Sequence, residues 1–321
     1  MKKVTVIWLI TAAALCLSGL IIFGGVMTMG KWDFSKLSTV TYETNEYEIS
    51  EEFKNISVTS DTSDIVFAPA EDSKTTVVCR EQKKVKHFVN VKDGTLEIRS
   101  VDTRKWYEHI GIMRVGSSKI TVYLPLAEYE ALTVKESTGD VEIPKDFSFR
   151  SIDISVTTGD VKNYASASGN IKIKTTTGGI LAEKISAESI ELSVTTGNVK
   201  LYDTACQNNI NVRVSTGKCE LKNVSCNDFT SMGSTGSIHM KGLIAAGKIW
   251  IERDTGAVRF DGCDAAELLI RTDTGDVTGS LLTEKVFFAH SDTGDVDVPK
   301  DLTGGRCEIN TDTGDIRMSY N

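Results

Sequence analysis

The sequence predicts an all-β fold: a right-handed parallel β-solenoid, or β-helix, of about eleven coils of 19–20 residues behind one N-terminal transmembrane helix. Three observations carry this. A Thr-Gly pair recurs with its glycine at Gly139, Gly159, Gly178, Gly197, Gly217, Gly236, Gly256, Gly275, Gly294 and Gly314. Around each glycine, β-branched apolar residues alternate with polar ones, which is strand chemistry. Ahead of the repeats, the 27 residues from Val4 to Gly30 carry neither charge nor proline.

The elements follow in order. Lys2 and Lys3 precede an uncharged run longer than the roughly 20 residues that cross a bilayer as a helix. A cleaved signal peptide has an apolar region of about 7–15 residues before a small-x-small site, whereas Ala12–Ala14 lies inside this run. Leu15 before Cys16 is not the small residue that a lipidation site takes. Residues 1–30 therefore read as cytoplasmic lysines and an uncleaved anchor, with residues 4–30 in the lipid bilayer. Lys31 and Lys36 weaken the charge asymmetry that sets this orientation. The rest of the chain is then expected on the extracytoplasmic side of the cell membrane.

Residues 31–50 read as a polar linker, and 51–130 as a first coil with a β capping segment. ISVTSDTSDIVF is a degenerate repeat with Ser63 at the glycine position. Between Thr76 and Leu126, TTVVCR, HFVNVKDGTLEIR and KITVYLP break the period, with Lys92-Asp93-Gly94 as a hairpin turn. Such a segment covers the unpaired backbone and apolar rungs of an open end.

Residues 131–321 are the repeats. Seven residues before the glycine stand Leu132, Ile152, Ile171 and Ile190; five before it, Val134, Ile154, Ile173 and Leu192; two after it, Val141, Val161, Ile180 and Val199. Asp153, Lys172, Glu191 and Asn211 alternate with these ranks. One such unit cannot bury its own apolar face, but copies in tandem line each rank into an interior ladder. Propeller blades need about 40–45 residues each. Coils about 4.8 Å apart give a rod of roughly 50 Å. The glycine suits a turn with positive φ or close backbone approach, and right-handed coiling follows from crossover chirality.

The serial TTGDV and DTGDV turns, with ISVTSDTSDIVF and KITVYLPLAEYEALTVKESTGDVEI, resemble the bacterial β-strand-repeat family of candidate adhesins over about residues 45–321. The resemblance implies the solenoid and brings no catalytic residues with it.

Composition narrows the function. The chain has a formal net charge of −8 with no long basic block, which excludes nucleic acid as a partner. It has four His and seven scattered Cys without CxxC, so neither a zinc ribbon nor a dense disulfide framework is indicated. Asp-Thr-Gly at Asp254, Asp273, Asp292 and Asp312 is the aspartic-protease triplet, but that chemistry needs two facing aspartates, and here it is the repeat turn. Thr three residues before the glycine occurs at Thr175, Thr272 and Thr311 only, so no flat two-rank threonine face for ice is formed. Cys219 and Cys307 fill interior ranks as small hydrophobes. Cys206 and Cys226, each nine residues after a repeat glycine, fill a position that elsewhere takes small residues such as Ser148 and Ala187, and a disulfide between adjacent rungs is the alternative. Trp106, Tyr107 and His109 lie in the cap rather than on the array and read as a packed cap with an exposed loop, with a ligand patch as the alternative.

The acidic turn edge is the one candidate metal site. Asp273, Asp292 and Asp312 precede the glycine, and Asp276, Asp295 and Asp315 follow it, one rung apart. Arg253, Arg271 and Arg317, turn N–H groups, or bound Ca²⁺ would offset the repulsion; no other cofactor is expected. The expected role is non-catalytic: an adhesin-like or envelope-associated scaffold with a protein or glycan ligand. The alternatives are a β-helix enzyme acting on a glycan and an envelope-stress regulatory membrane protein.

Overall fold

The computed structural model describes residues 3–29, 31–32, 41–105 and 117–321. Trp106, Tyr107 and His109 lie outside the described residues. Lys3–Met29 is a single α-helix, long and apolar enough to cross a membrane.

The rest is a parallel β-solenoid of about ten turns, in which each coil is named here by its repeat glycine. In coil Gly159, Ser148–Thr158 precedes the turn and Val161–Asn163 follows it. Val134, Ile154, Ile173 and Leu192 pair in register and are all buried. Asp153, Lys172 and Asn211 face solvent, and Glu191 is half-buried. The glycine requirement has two sources. Every repeat glycine has φ between +131° and +157°. A Cβ on any of them would also come within 3.0 Å of the neighbouring coil's backbone at the same turn position. The preceding threonines stack in register, and turn glycine N–H groups donate to the adjacent rung's threonine carbonyl, as from Gly159 to Thr177.

The N-terminal end is built from β1 (Tyr42–Ile49), β2 (Asn55–Ser60), β3 (Ser63–Pro69), β4 (Thr75–Gln82), β5 (Val85–Lys92), β6 (Thr95–Asp102), β7 (Ser118–Leu124), β8 (Glu128–Thr138) and β9 (Val141–Ile143). β2 and β3 stack in parallel on β8 and β9 as the first coil. β6 and β7 stack in parallel on its other side, an outer coil within the segment expected only to cap. Antiparallel β5 then covers β6, β4 covers β7, and β1 pairs with β4. The Asp93-Gly94 turn has φ of +50° and +72°, as the hairpin signal requires. The stretch 31–50, expected as a linker, thus contributes an edge strand. It reads as polar because only Tyr47 and Ile49 of β1 pack on the core.

The distal end also departs from tandem order. Gly305–Thr313 of coil Gly314 lies between Val258–Thr274 and Lys285–Thr293. Ile316–Tyr320 likewise lies between Val277–Leu281 and Val296–Asp297. Coil Gly294 is therefore the outermost rung. Its inner ranks carry the small Ala289 and Ser291, and with no further rung beyond it Val296 is left 44% exposed.

Candidate functional site

The aspartates after the glycine are hydrogen-bond acceptors for the adjacent rung. Asp140 Oδ1 accepts the N–H of Asp160 at 2.8 Å, and Asn198 Oδ1 accepts that of Lys218 at 2.8 Å. Distally, Asp276 Oδ1 accepts the N–H of Asp315 and Asp315 Oδ1 that of Asp295, both at 2.9 Å. Asp315 also meets Arg317 at 2.6 Å, and Asp292 lies 2.9 Å from His290 Nε2. Asp273 and Asp312 are exposed. Among the described residues, these six do not gather three ligand oxygens within 4.8 Å of one another.

Arg253 does not join that edge. The position three before the glycine points inward, so Arg253 is 2% exposed and Nη2 donates to Ser231 Oγ at 2.6 Å. Gly233, one rung back, makes the room: a Cβ there would collide with the guanidinium. Burial lowers the Arg253 pKa. Thr175 and Thr311 occupy the same inward rank, each donating to a glycine carbonyl of the adjacent coil at 3.1 Å. Cys206 and Cys226 stand at equivalent positions of neighbouring rungs as free, buried thiols.

Glu136, at that inward rank of coil Gly139, is 3% exposed. Oε1 accepts the N–H groups of Thr138 (3.1 Å) and Ser63 (3.3 Å), while Oε2 has no hydrogen-bond partner among the described residues. Burial raises its pKa from 4.5 to about 7, against the opposing effect of those N–H groups. The folded state therefore holds this proton more tightly than the unfolded chain. Stability is expected to fall as pH rises from about 4.5 to about 7, by about 3 kcal/mol from this group. Urea midpoints across pH 4–8 check this: Glu136→Gln should remove that fall and be the more stable form at pH 8. Parallel pH profiles for the two proteins would refute the assignment.

Beside it, the cap buries a polar cluster that the sequence reading passed over. Glu81 Oε2 lies 2.7 Å from His87 Nδ1, and His87 Nε2 lies 3.3 Å from Ser63 Oγ. This is the hydroxyl–imidazole–carboxylate order of a hydrolase. Ser63, His87 and Glu81 are only 3%, 4% and 0% exposed, so the arrangement offers a substrate no approach in this conformation. The period-2 spacing of Cys79 and Glu81, with His87 across the Lys83-Lys84 turn, was the available signal.

The outer face changes character along the rod. The rank that holds Asp153, Lys172, Glu191 and Asn211 continues through Thr230 to Trp250 and Leu269. It ends with Glu308 and Phe288. Trp250 is 37% and Phe288 53% exposed, with Lys248 and Arg306 over their rings.

Stacked Thr-Gly coils with in-register parallel strands define a β-solenoid. The chain belongs to the Toastrack DUF4097 family, which it matches over residues 53–209 and 203–321. Among solved structures it is similar to a candidate adhesin from Bacteroides fragilis NCTC 9343, at 16% identity and TM-score 0.42, covering 87% of this chain and 97% of that one. It is similar to another candidate adhesin, from Parabacteroides distasonis ATCC 8503, at 9% identity and TM-score 0.48, covering 85% and 98%. No curated protein matches the chain. The family expected from the repeat turns is thus the one found.

Proposed function

We propose that the chain is a non-catalytic, membrane-anchored binding scaffold of the cell envelope, adhesin-like in role. Its helix Lys3–Met29 holds it in the bilayer, and the solenoid stands on the extracytoplasmic side with a protein or glycan ligand. The observation that carries this reading is the outward rank Trp250, Leu269, Glu308 and Phe288, with two exposed rings on the rungs farthest in stacking order from the N-terminal cap. Exposed aromatic residues flanked by cations are the side chains that supply binding energy at interfaces. Proteoliposomes carrying the full-length chain should retain an envelope protein or glycan fraction. Trp250→Ala with Phe288→Ala should lower that retention at least tenfold; equal retention by both would sink the reading. Turnover of envelope glycan by the wild-type chain would instead favour an enzyme. For topology, external protease should digest the solenoid in intact spheroplasts, with the full-length chain in the membrane fraction beforehand. Recovery of a soluble chain that begins after the apolar run would contradict the anchor.

A further inference from the structure

We infer that Cys79, Glu81 and His87 form a site for one divalent transition metal, best suited to zinc, which ties the β4–β5 hairpin into the cap. Cys79 and Glu81 are two apart on β4 and so share its inward face; His87 is inward on β5. β4 and β5 pair only at Gln82 and Val85. Beyond that point the hairpin opens, and the His87 N–H donates to Glu81 Oε2 at 2.5 Å instead of continuing the ladder. This brings the His87 ring in beside the other two residues. One ligand atom from each lies within 4.8 Å of the other two, and all three residues are buried.

The donor set decides the class of ion. Thiolate, imidazole and carboxylate together suit zinc and disfavour calcium or magnesium, which take oxygen ligands. The thiolate and carboxylate would neutralise a +2 charge that the closed surroundings could not otherwise hold. The supporting contacts are already in place. A metal-bound histidine needs a partner on its other ring nitrogen, and Ser63 Oγ lies 3.3 Å from His87 Nε2. Glu81 Oε1 accepts from Asn45 Nδ2 at 2.5 Å and faces Lys86 Nζ at 3.4 Å, which leaves Oε2 toward His87. Lys86 is a cation against the cluster, and its Nζ is also paired with Glu43. Three protein ligands leave one coordination position, and the burial makes the role structural.

The test uses the full-length chain in detergent, stripped with chelator and titrated with zinc alone and with cobalt(II) alone. One ion should bind per chain, and cobalt should give a thiolate-to-metal charge-transfer band. Cys79→Ser should abolish that band, and His87→Gln should weaken cobalt binding at least tenfold. Cys206→Ala with Cys226→Ala should leave both unchanged. Chelator should lower the melting temperature of the wild type but not of Cys79→Ser. If the serine variant does not fold, the near-isosteric Glu81→Gln decides, with at least a tenfold loss of cobalt affinity expected. The site is overturned if the wild type takes up neither ion or if the band survives in Cys79→Ser. It is equally overturned if the band vanishes in the Cys206/Cys226 variant or if Glu81→Gln binds cobalt as tightly as the wild type.

Discussion

Replacing Gly217 by alanine is expected to cost on the order of 4–5 kcal/mol, at the upper end of what single substitutions do. Two penalties combine. Gly217 has φ +142°, a conformation that L side chains rarely adopt, and its Cβ would fall within 3.0 Å of the Gly197 carbonyl. The atoms in the way are backbone, held by the N–H of Gly197 donating to Thr216 and that of Gly217 to Thr235. Relief therefore means parting two rungs and losing the interior packing on both sides of the break. Gly94 supplies the comparison. Its φ is +72°, but a Cβ there would meet nothing within 4 Å. Gly94→Ala should therefore cost only the left-handed penalty, about 1–2 kcal/mol. Urea unfolding of both variants checks the pair, and equal losses would mean that close approach of the coils contributes nothing.

How far the fold can be read from the sequence depends on whether a position has a repeated counterpart. The ranks of Ile152, Ile154 and Val161 were legible because ten copies superpose on one glycine and each rank keeps its chemistry. The same uniformity hides the stacking order. Ile270 packs on Ile309 as readily as it would on Ala289, so nothing in the ranks says that coil Gly314 slips beneath coil Gly294. Small inner residues do not single out the end rung either: Ala289 and Ser291 stand in the outermost coil, but Ser231 and Gly233 hold the same ranks of an interior one.

Charged residues misled where a rank is mixed. Arg253 reads as a partner for the turn aspartates because arginine is usually solvated. Its direction is nevertheless fixed by the strand alternation that points Thr175 and Thr311 inward. The smaller Ser231 and Gly233 one rung away are the compensation that the sequence contained. In the cap, Glu81 and His87 have no repeat to be registered on. Their inward placement depends on how β4 packs on β7, a contact between segments that no local pattern encodes.

Ile173→Asp is expected to destabilise the chain by about 3–5 kcal/mol, whereas Lys172→Asp should cost about 1 kcal/mol or less. The residues are neighbours in sequence and opposite in environment. Ile173 is 0% exposed between Ile154 and Leu192, so an aspartate there leaves a charge with no counter-ion inside a continuous apolar ladder. Neutralising it by proton uptake still leaves the carboxyl without partners and removes the aliphatic volume that joins two rungs. Lys172 faces solvent between Asp153 and Glu191, with Nζ 3.2 Å from Glu191 Oε2. Reversing it removes an exposed ion pair and lines up three carboxylates at rung spacing. Water and salt screen that repulsion, so its cost should shrink as ionic strength rises, while the cost of Ile173→Asp should not. Denaturant midpoints at low and high salt separate the two. Equal losses at both positions would place the apolar rank on the wrong side of the strand and undo the register on which every coil assignment rests.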